Sequence, residues 1–193
     1  MRVLHVVSNT GPLISAFQSD SFGLVKEMFQ IVHLPRACLE ELDEHGWMDK
    51  VWENREAIRI HDLTSDERAE VLEIAERISY RALDKEPVHH LGEAEVIVLA
   101  KREEFKDNLV LIDELAAREV ALEEGLVISG FPGVLVRAVE RGLINPEELR
   151  KRLKICQSLG TWYRSSFIEE VYRRVKGGGL WASKEPFMSQ KRN

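Results

Sequence analysis

Short apolar runs alternate with helix-length segments along this chain, and that alternation limits the fold more than any other feature. Residues 3–7 (VLHVV), 31–34 (IVHL), 57–60 (AIRI), 109–112 (LVLI) and 126–128 (LVI) read as buried strands. Helical patterns lie between them. The stretch after Pro12 reads as one or two helices broken near residues 19–23, and Pro35 opens another through Leu42. Residues 47–57 and 66–83 also read as helical. In the second of these Ala69, Leu72, Ile74, Ala75 and Ile78 form the expected inward stripe, with Thr64 or Ser65 as cap. A helix from Gly92 to about Phe105 turns Ala94, Ile97, Val98 and Ala100 inward, and another runs from Leu115 to Glu123. Strand–helix–strand repeats of this kind predict a largely parallel sheet covered on both faces, a three-layer α/β/α fold.

After Gly130 the pattern holds helices only, over residues 133–140, 146–159 and 165–175. Asn145 is the expected N-cap of the second, with Pro146 at its first position and Glu148 completing a capping box. The expected organisation is a domain over 1–160 and, over 161–193, a helical extension with a basic, flexible tail in which Trp181 is a candidate anchor. Leu149, Leu153, Ile155, Cys156, Leu159, Phe167, Ile168, Val171, Tyr172 and Val175 follow helical spacing, with Trp162 and Tyr163 between the two helices. So much apolar surface must pack on the core or against a second copy, and a homodimer is the expectation.

No apolar run approaches the ~18 residues that a membrane span needs. Cys38 and Cys156 lie far apart in helical patterns, which predicts two buried thiols and a cytoplasmic location. The net charge of −6 conceals an asymmetry. Residues 1–140 carry 15 basic against 28 acidic side chains, whereas residues 141–193 carry 12 against 5. A basic end of that kind suits a phosphate backbone, and an acidic remainder suits a cation.

The chemistry-bearing residues stand at element ends. Ser8-Asn9-Thr10 closes the first strand, Asp113-Glu114 closes 109–112, and Glu40-Glu41 and Glu93 with Glu95 sit on helices. Strand ends and helix starts converge where an open α/β sheet places its ligand. Carboxylates held close together repel and need a shared cation, and oxygen-only donors favour Mg²⁺ or Mn²⁺. Asp113 is the strongest candidate, although it also suits a cap for the helix starting at Leu115. Glu93 is preferred to Glu95 because it lies in the first helical turn. Asn9 is neutral and can ligate through its amide oxygen. His89 and His90 lack any zinc signature and read as loop or cap residues. Neither a serine nucleophile elbow nor a nucleotide-binding glycine loop is present.

Taken in order, Ser8-Asn9-Thr10-Gly11-Pro12, Leu34-Pro35-Arg36-Ala37-Cys38-Leu39-Glu40-Glu41-Leu42, Gly92-Glu93-Ala94-Glu95, Ile112-Asp113-Glu114-Leu115 and Ile128-Ser129-Gly130-Phe131-Pro132 resemble the PIN-domain family. The likeness is greatest to the small prokaryotic group related to VapC-type toxin ribonucleases, and it covers about residues 3–160. It implies a metal-dependent endoribonuclease whose four acidic positions fall on Asn9, Glu41, Glu93 and Asp113. Ser129 matches the polar residue beside that cluster. Asn9 stands where the usual family residue is aspartate, and Phe131-Pro132 replaces the usual turn. RNA is the implied substrate and a protein antitoxin an implied partner. Arg118, Arg137, Arg141, Lys151 and Arg152 are candidates for the RNA backbone, with an Arg118–Glu114 ion pair as the alternative for the first. A catalytically weak nucleic-acid-binding or regulatory protein is the alternative function.

Overall fold

The computed structural model describes residues 5–178. Strands β1 (His5–Ser8), β2 (Ile31–Pro35), β3 (Ile58–His61), β4 (Leu109–Leu111) and β5 (Val127–Ser129) form one sheet in the order β3-β2-β1-β4-β5. All four pairings are parallel. Val6, Val7 and Leu34 have no exposed surface, as befits central strands covered on both faces. The first half of the chain moves outward from β1 to β3, and the second half returns to the other side of β1. The order therefore reverses between β1 and β4, which places the two loops leaving those strands side by side.

Ten α-helices flank the sheet among the described residues: α1 (Thr10–Gln18), α2 (Phe22–Phe29), α3 (Arg36–Glu44), α4 (Met48–Glu53), α5 (Ser65–Arg81), α6 (Leu91–Ala100), α7 (Leu115–Glu123), α8 (Phe131–Glu140), α9 (Pro146–Ser158) and α10 (Ser165–Lys176). Helix α6 packs on β1, β2 and β4 and carries α5, while α1, α2, α8, α9 and α10 pack among themselves. The result is the expected three-layer α/β/α arrangement. Asn145 with Glu148 closes the expected capping box, and Thr64, one of the two expected caps of α5, closes a second box with Glu67 that the sequence reading did not name.

Three expectations need correction. Helix α5 buries Val71, Ile74, Ala75 and Ile78, while Ala69 is exposed and Leu72 is 60% exposed. The packed stripe follows i, i+3, i+4, i+7 from Val71, and Leu72 lies about 100° away from it. The helix that starts before Gly92 stops at Ala100, and a short 3-10 turn, Glu103–Phe105, sets Phe105 against His33 and His61. Only Met48–Glu53 is helical within 47–57. Residues 3 and 4, the 180–193 segment and Trp181 lie outside the described residues.

The apolar surface of the last two helices is mostly used within the chain. Leu149, Leu153, Cys156, Tyr163, Ile168 and Val171 are buried and α10 packs on α9, whereas Leu159 and Trp162 remain exposed. Cys38 and Cys156 are both buried free thiols, and burial pushes their pKa values up, that of Cys156 to about 11. Among the described residues no helix is long and apolar enough to cross a membrane.

Candidate active site

Ser8 pairs with Leu111, so the residues following β1 and β4 are neighbours at the C-terminal edge of the sheet. Asn9 anchors there through its N–H, which donates to Leu111 O at 3.0 Å. It occupies the N-cap position of α1, yet its side chain makes no capping bond. Its Oδ1 is buried without a hydrogen-bond partner, as is Thr10 Oγ1 beside it. Such an orphan costs about 1–3 kcal/mol and calls for a ligand or an ordered water.

Asp113 faces Asn9 across Gly11: a Cβ on that glycine would lie 4.0 Å from Asn9 Oδ1 and 4.0 Å from Asp113 Oδ2. Phe131 N–H, the first of α8, donates to Asp113 Oδ1 at 2.9 Å, and the Tyr163 hydroxyl donates to Oδ2 at 3.1 Å. Burial raises the Asp113 pKa, opposed by the Phe131 N–H, the nearby Arg118 charge and Tyr163. Glu114 rather than Asp113 caps α7, accepting from Ala117 N–H at 2.6 Å.

Glycines make this packing possible. A Cβ on Gly130 would stand 2.3 Å from Asp113 Oδ1, and one on Gly133 would stand 2.1 Å from Ser129 Oγ. Neither has a positive φ, so the demand is for space rather than for backbone freedom. The carboxylate thus rests against the start of α8, where the helix dipole favours negative charge.

Glu93, half-buried in the first turn of α6, has a pKa raised by burial and then by the charges of Glu41 and Glu114. Glu41 reaches the same place from α3: its Oε2 lies 3.7 Å from the position of a Cβ on Gly92. Asn9, Glu41, Glu93, Asp113 and Glu114 line one cleft of about 890 Å³. The ends of two strands, β1 and β4, and two helices, α3 and α6, therefore bring oxygen donors to a single space. Among the described residues no three His, Cys, Asp or Glu side chains close into a ready cage. An open set of oxygen donors with one orphaned amide oxygen fits a hard, hydrated cation that keeps several waters.

Other candidates fall elsewhere. Glu95 points to α3, accepting from Ala37 N–H at 3.4 Å, and is outside the cleft lining. Glu40 is exposed. Ser129 donates to Gly130 O at 3.3 Å. Arg118 donates to Ile112 O at 2.8 Å beside Asp113, and burial lowers its pKa. Arg152 donates to Ser19 O, Asp20 O and Ser21 Oγ within 2.9 Å, which commits it to holding the end of α1. Arg137 pairs with Glu140, Arg141 reaches Glu27 O at 3.4 Å, and Lys151 lies exposed beside Arg150 and Lys154 on α9. His89 and His90 fix the loop before α6 through Asp84, and His90 also borders the cleft. Tyr163 is the residue that sequence reasoning passed over as a site residue, since nothing in its spacing points to a carboxylate 50 positions away.

A family model described as a PIN domain matches residues 5–177. No curated protein and no solved structure matches the chain.

Proposed function

This chain belongs to the PIN-domain family, a nuclease fold, and on that premise we propose that it is a metal-dependent endoribonuclease. Asn9, Glu41, Glu93 and Asp113 would hold the cation, Mg²⁺ or Mn²⁺. When bound, it supplies Lewis acidity toward a phosphodiester and acidifies water. The chain's own residues do the positioning. Phe131 N–H and the Tyr163 hydroxyl fix both oxygens of Asp113, and Arg118 offsets its charge from behind. Asn9 offers a neutral oxygen where a further carboxylate would add repulsion. Hydrolysis adds water across the P–O bond, leaving one phosphate monoester end and one hydroxyl end.

The observation that carries this reading is the buried, unpartnered Asn9 Oδ1 beside Asp113, at the point where the strand order reverses. Purified protein should cleave single-stranded RNA with Mg²⁺ or Mn²⁺, and Asp113→Asn should lower the rate by roughly 10³-fold or more. Cleavage by that variant at the parental rate would sink the assignment. Calorimetric titration with Mn²⁺ should give a Kd near or below ~1 mM.

A second reading, a catalytically weak nucleic-acid-binding protein, is favoured by the uncharged Asn9 and by the absence of a closed cage among the described residues. It predicts RNA binding in chelator with no heat from Mn²⁺. A toxin role is the narrower form of the first reading. It calls for an antitoxin that seats a basic side chain among the cleft carboxylates, and for growth arrest on expression that Asp113→Ala relieves. Two free buried thiols suit a reducing cytoplasm. A homodimer would use the exposed Leu159 and Trp162, and light scattering would show about twice the chain mass.

A further inference from the structure

Carboxylates of Glu41, Asp84, Glu93, Asp113, Glu114 and Glu119 border the cleft, and among the described residues lining it the only arginine or lysine is Arg81. Arg81 ends α5, where a helix terminus favours positive charge. Its Nη1 donates to Arg77 O at 2.9 Å, and its Nη2 donates to both oxygens of Glu123, at 2.7 and 3.0 Å. Nε lies 3.9 Å from Glu119 Oε2, beyond a hydrogen bond. A guanidinium carries five N–H groups, so Nε–H and one Nη1–H remain to be given to a ligand. The side chain also keeps 27% of its surface in solvent. One cation is thus held in place at the wall of an acidic cleft with donors to spare.

We propose that Arg81 is the phosphate anchor of the cleft, a binding residue that seats the phosphodiester next to the one cleaved. The inference rests on the nuclease reading and adds to it a residue outside the acidic set. Six carboxylates repel a polyanion, and a bound divalent cation offsets only two of those charges. Arg81 supplies a permanent positive charge whose planar fork suits phosphate oxygens. Its place along α7 sets which phosphate it meets. Asp113 precedes that helix, whereas Glu119 and Glu123 lie about 6 and 12 Å beyond its first residue, one and two turns on. The anchor is therefore offset from the cation site and takes a neighbouring phosphate. Glu123 holds the guanidinium and also competes with the phosphate for it.

The test uses the full chain carrying Asp113→Asn, so that the strand survives, with Mg²⁺ present. Fluorescence anisotropy follows a labelled oligouridylate of about twelve nucleotides over a series of salt concentrations. Adding Arg81→Ala should weaken binding roughly 10-fold and reduce the slope of log affinity against log salt by about 0.7, the share of one phosphate contact. Arg81→Lys should recover the slope and part of the affinity, because it keeps the charge and loses the fork. Glu123→Gln, which releases the guanidinium, should leave binding unchanged or tighter. An Arg81 that merely braces α5 against α7 gives another pattern: Glu123→Gln weakens RNA as much as Arg81→Ala does, and the slope stays. That pattern overturns the anchor. Thermal melts check folding, and where Arg81→Ala does not fold the comparison passes to Arg81→Gln. With Asp113 intact, Arg81→Ala should raise KM while kcat holds within about twofold. A fall in kcat at constant KM would put Arg81 on the scissile phosphate and overturn the offset. If RNA is cleaved with parental kcat and KM, the anchor falls and the nuclease stands. If the parent neither binds nor cleaves RNA, both fall.

Discussion

Two groups of buried polar side chains lie on the same sheet and solve burial in opposite ways. Across the face of β1, β2 and β3 runs a row of imidazoles: His5 Nδ1 lies 2.7 Å from His33 Nε2, and His33 Nδ1 lies 2.7 Å from His61 Nε2. Each shared proton joins one donor to one acceptor, so the row satisfies itself while neutral. Phe105 closes over it, with ring centroids 4.6 Å from His33 and 5.4 Å from His61. Burial, then the neighbouring His61, His5 and Arg59, push the His33 pKa down to about 4. Burial and Arg102 lower His61, against the pull of Glu104 and Asp62. At the C-terminal edge the cleft does the reverse. It leaves Asn9 Oδ1 unpartnered and raises the pKa values of Glu93 and Asp113. The row is complete without a ligand, whereas the cleft leaves an acceptor open to one. That contrast sets a polar group satisfied within the fold against one that the proposed chemistry would use.

The contrast breaks most readily at Gly130. Its φ of −121° suits any residue, so Gly130→Ala acts only by placing a Cβ 2.3 Å from Asp113 Oδ1. The carboxylate must then shift, and RNA cleavage should fall by about 100-fold while thermal unfolding moves by only a few degrees. Full activity in this variant would show that the position of Asp113 does not matter. The row should instead reveal itself through pH. The folded His33 pKa lies below the unfolded value of about 6.5, so the unfolded chain binds more protons between the two. Stability is complete above that window and is lost as pH falls from about 6.5 toward 4, by on the order of 3 kcal/mol. The carboxyls have the opposite sign: a raised folded pKa means that their contribution declines as pH rises through it. Urea midpoints at pH 7 and pH 5 measure the balance, and a pH dependence identical in parent and His33→Phe proteins would remove the row from the structural side. The smallest effect belongs to Tyr163→Phe, which removes one donor from Asp113 and keeps the ring. Stability should drop by about 1 kcal/mol and cleavage by several-fold. Wild-type values on both counts would make the hydroxyl incidental.

Much of this was legible in the chain. The strand runs, the Leu115–Glu123 helix, the Thr64 cap and the Asn145 capping box follow from local preference, because backbone dihedrals and capping bonds are settled within four or five residues. Local reading marked Asn9, the Glu40-Glu41 pair, Glu93 and Asp113 as candidates, the family resemblance selected Glu41 from the pair, and the four selected residues line one cleft. Less visible was which face an element turns inward. Leu72 looks like core by composition and lies outside it, because the position of α5 on α6 and α7, and no property of leucine, selects the stripe. The histidine row was also hidden, since His5, His33 and His61 meet only once three strands are in register.

The sequence by itself determined the elements, their parallel assembly and the chemical character of the residues at their ends, because these depend on neighbours along the chain. Tertiary structure alone decided which of those ends meet. Placing β1 between β2 and β4 brings Asn9 to Asp113, and the docking of α9 and α10 brings Tyr163 to the same carboxylate while leaving Trp162 at the rim. Those contacts span 50 to about 100 positions, a distance over which no local periodicity carries information and only the packing of whole elements fixes the partner.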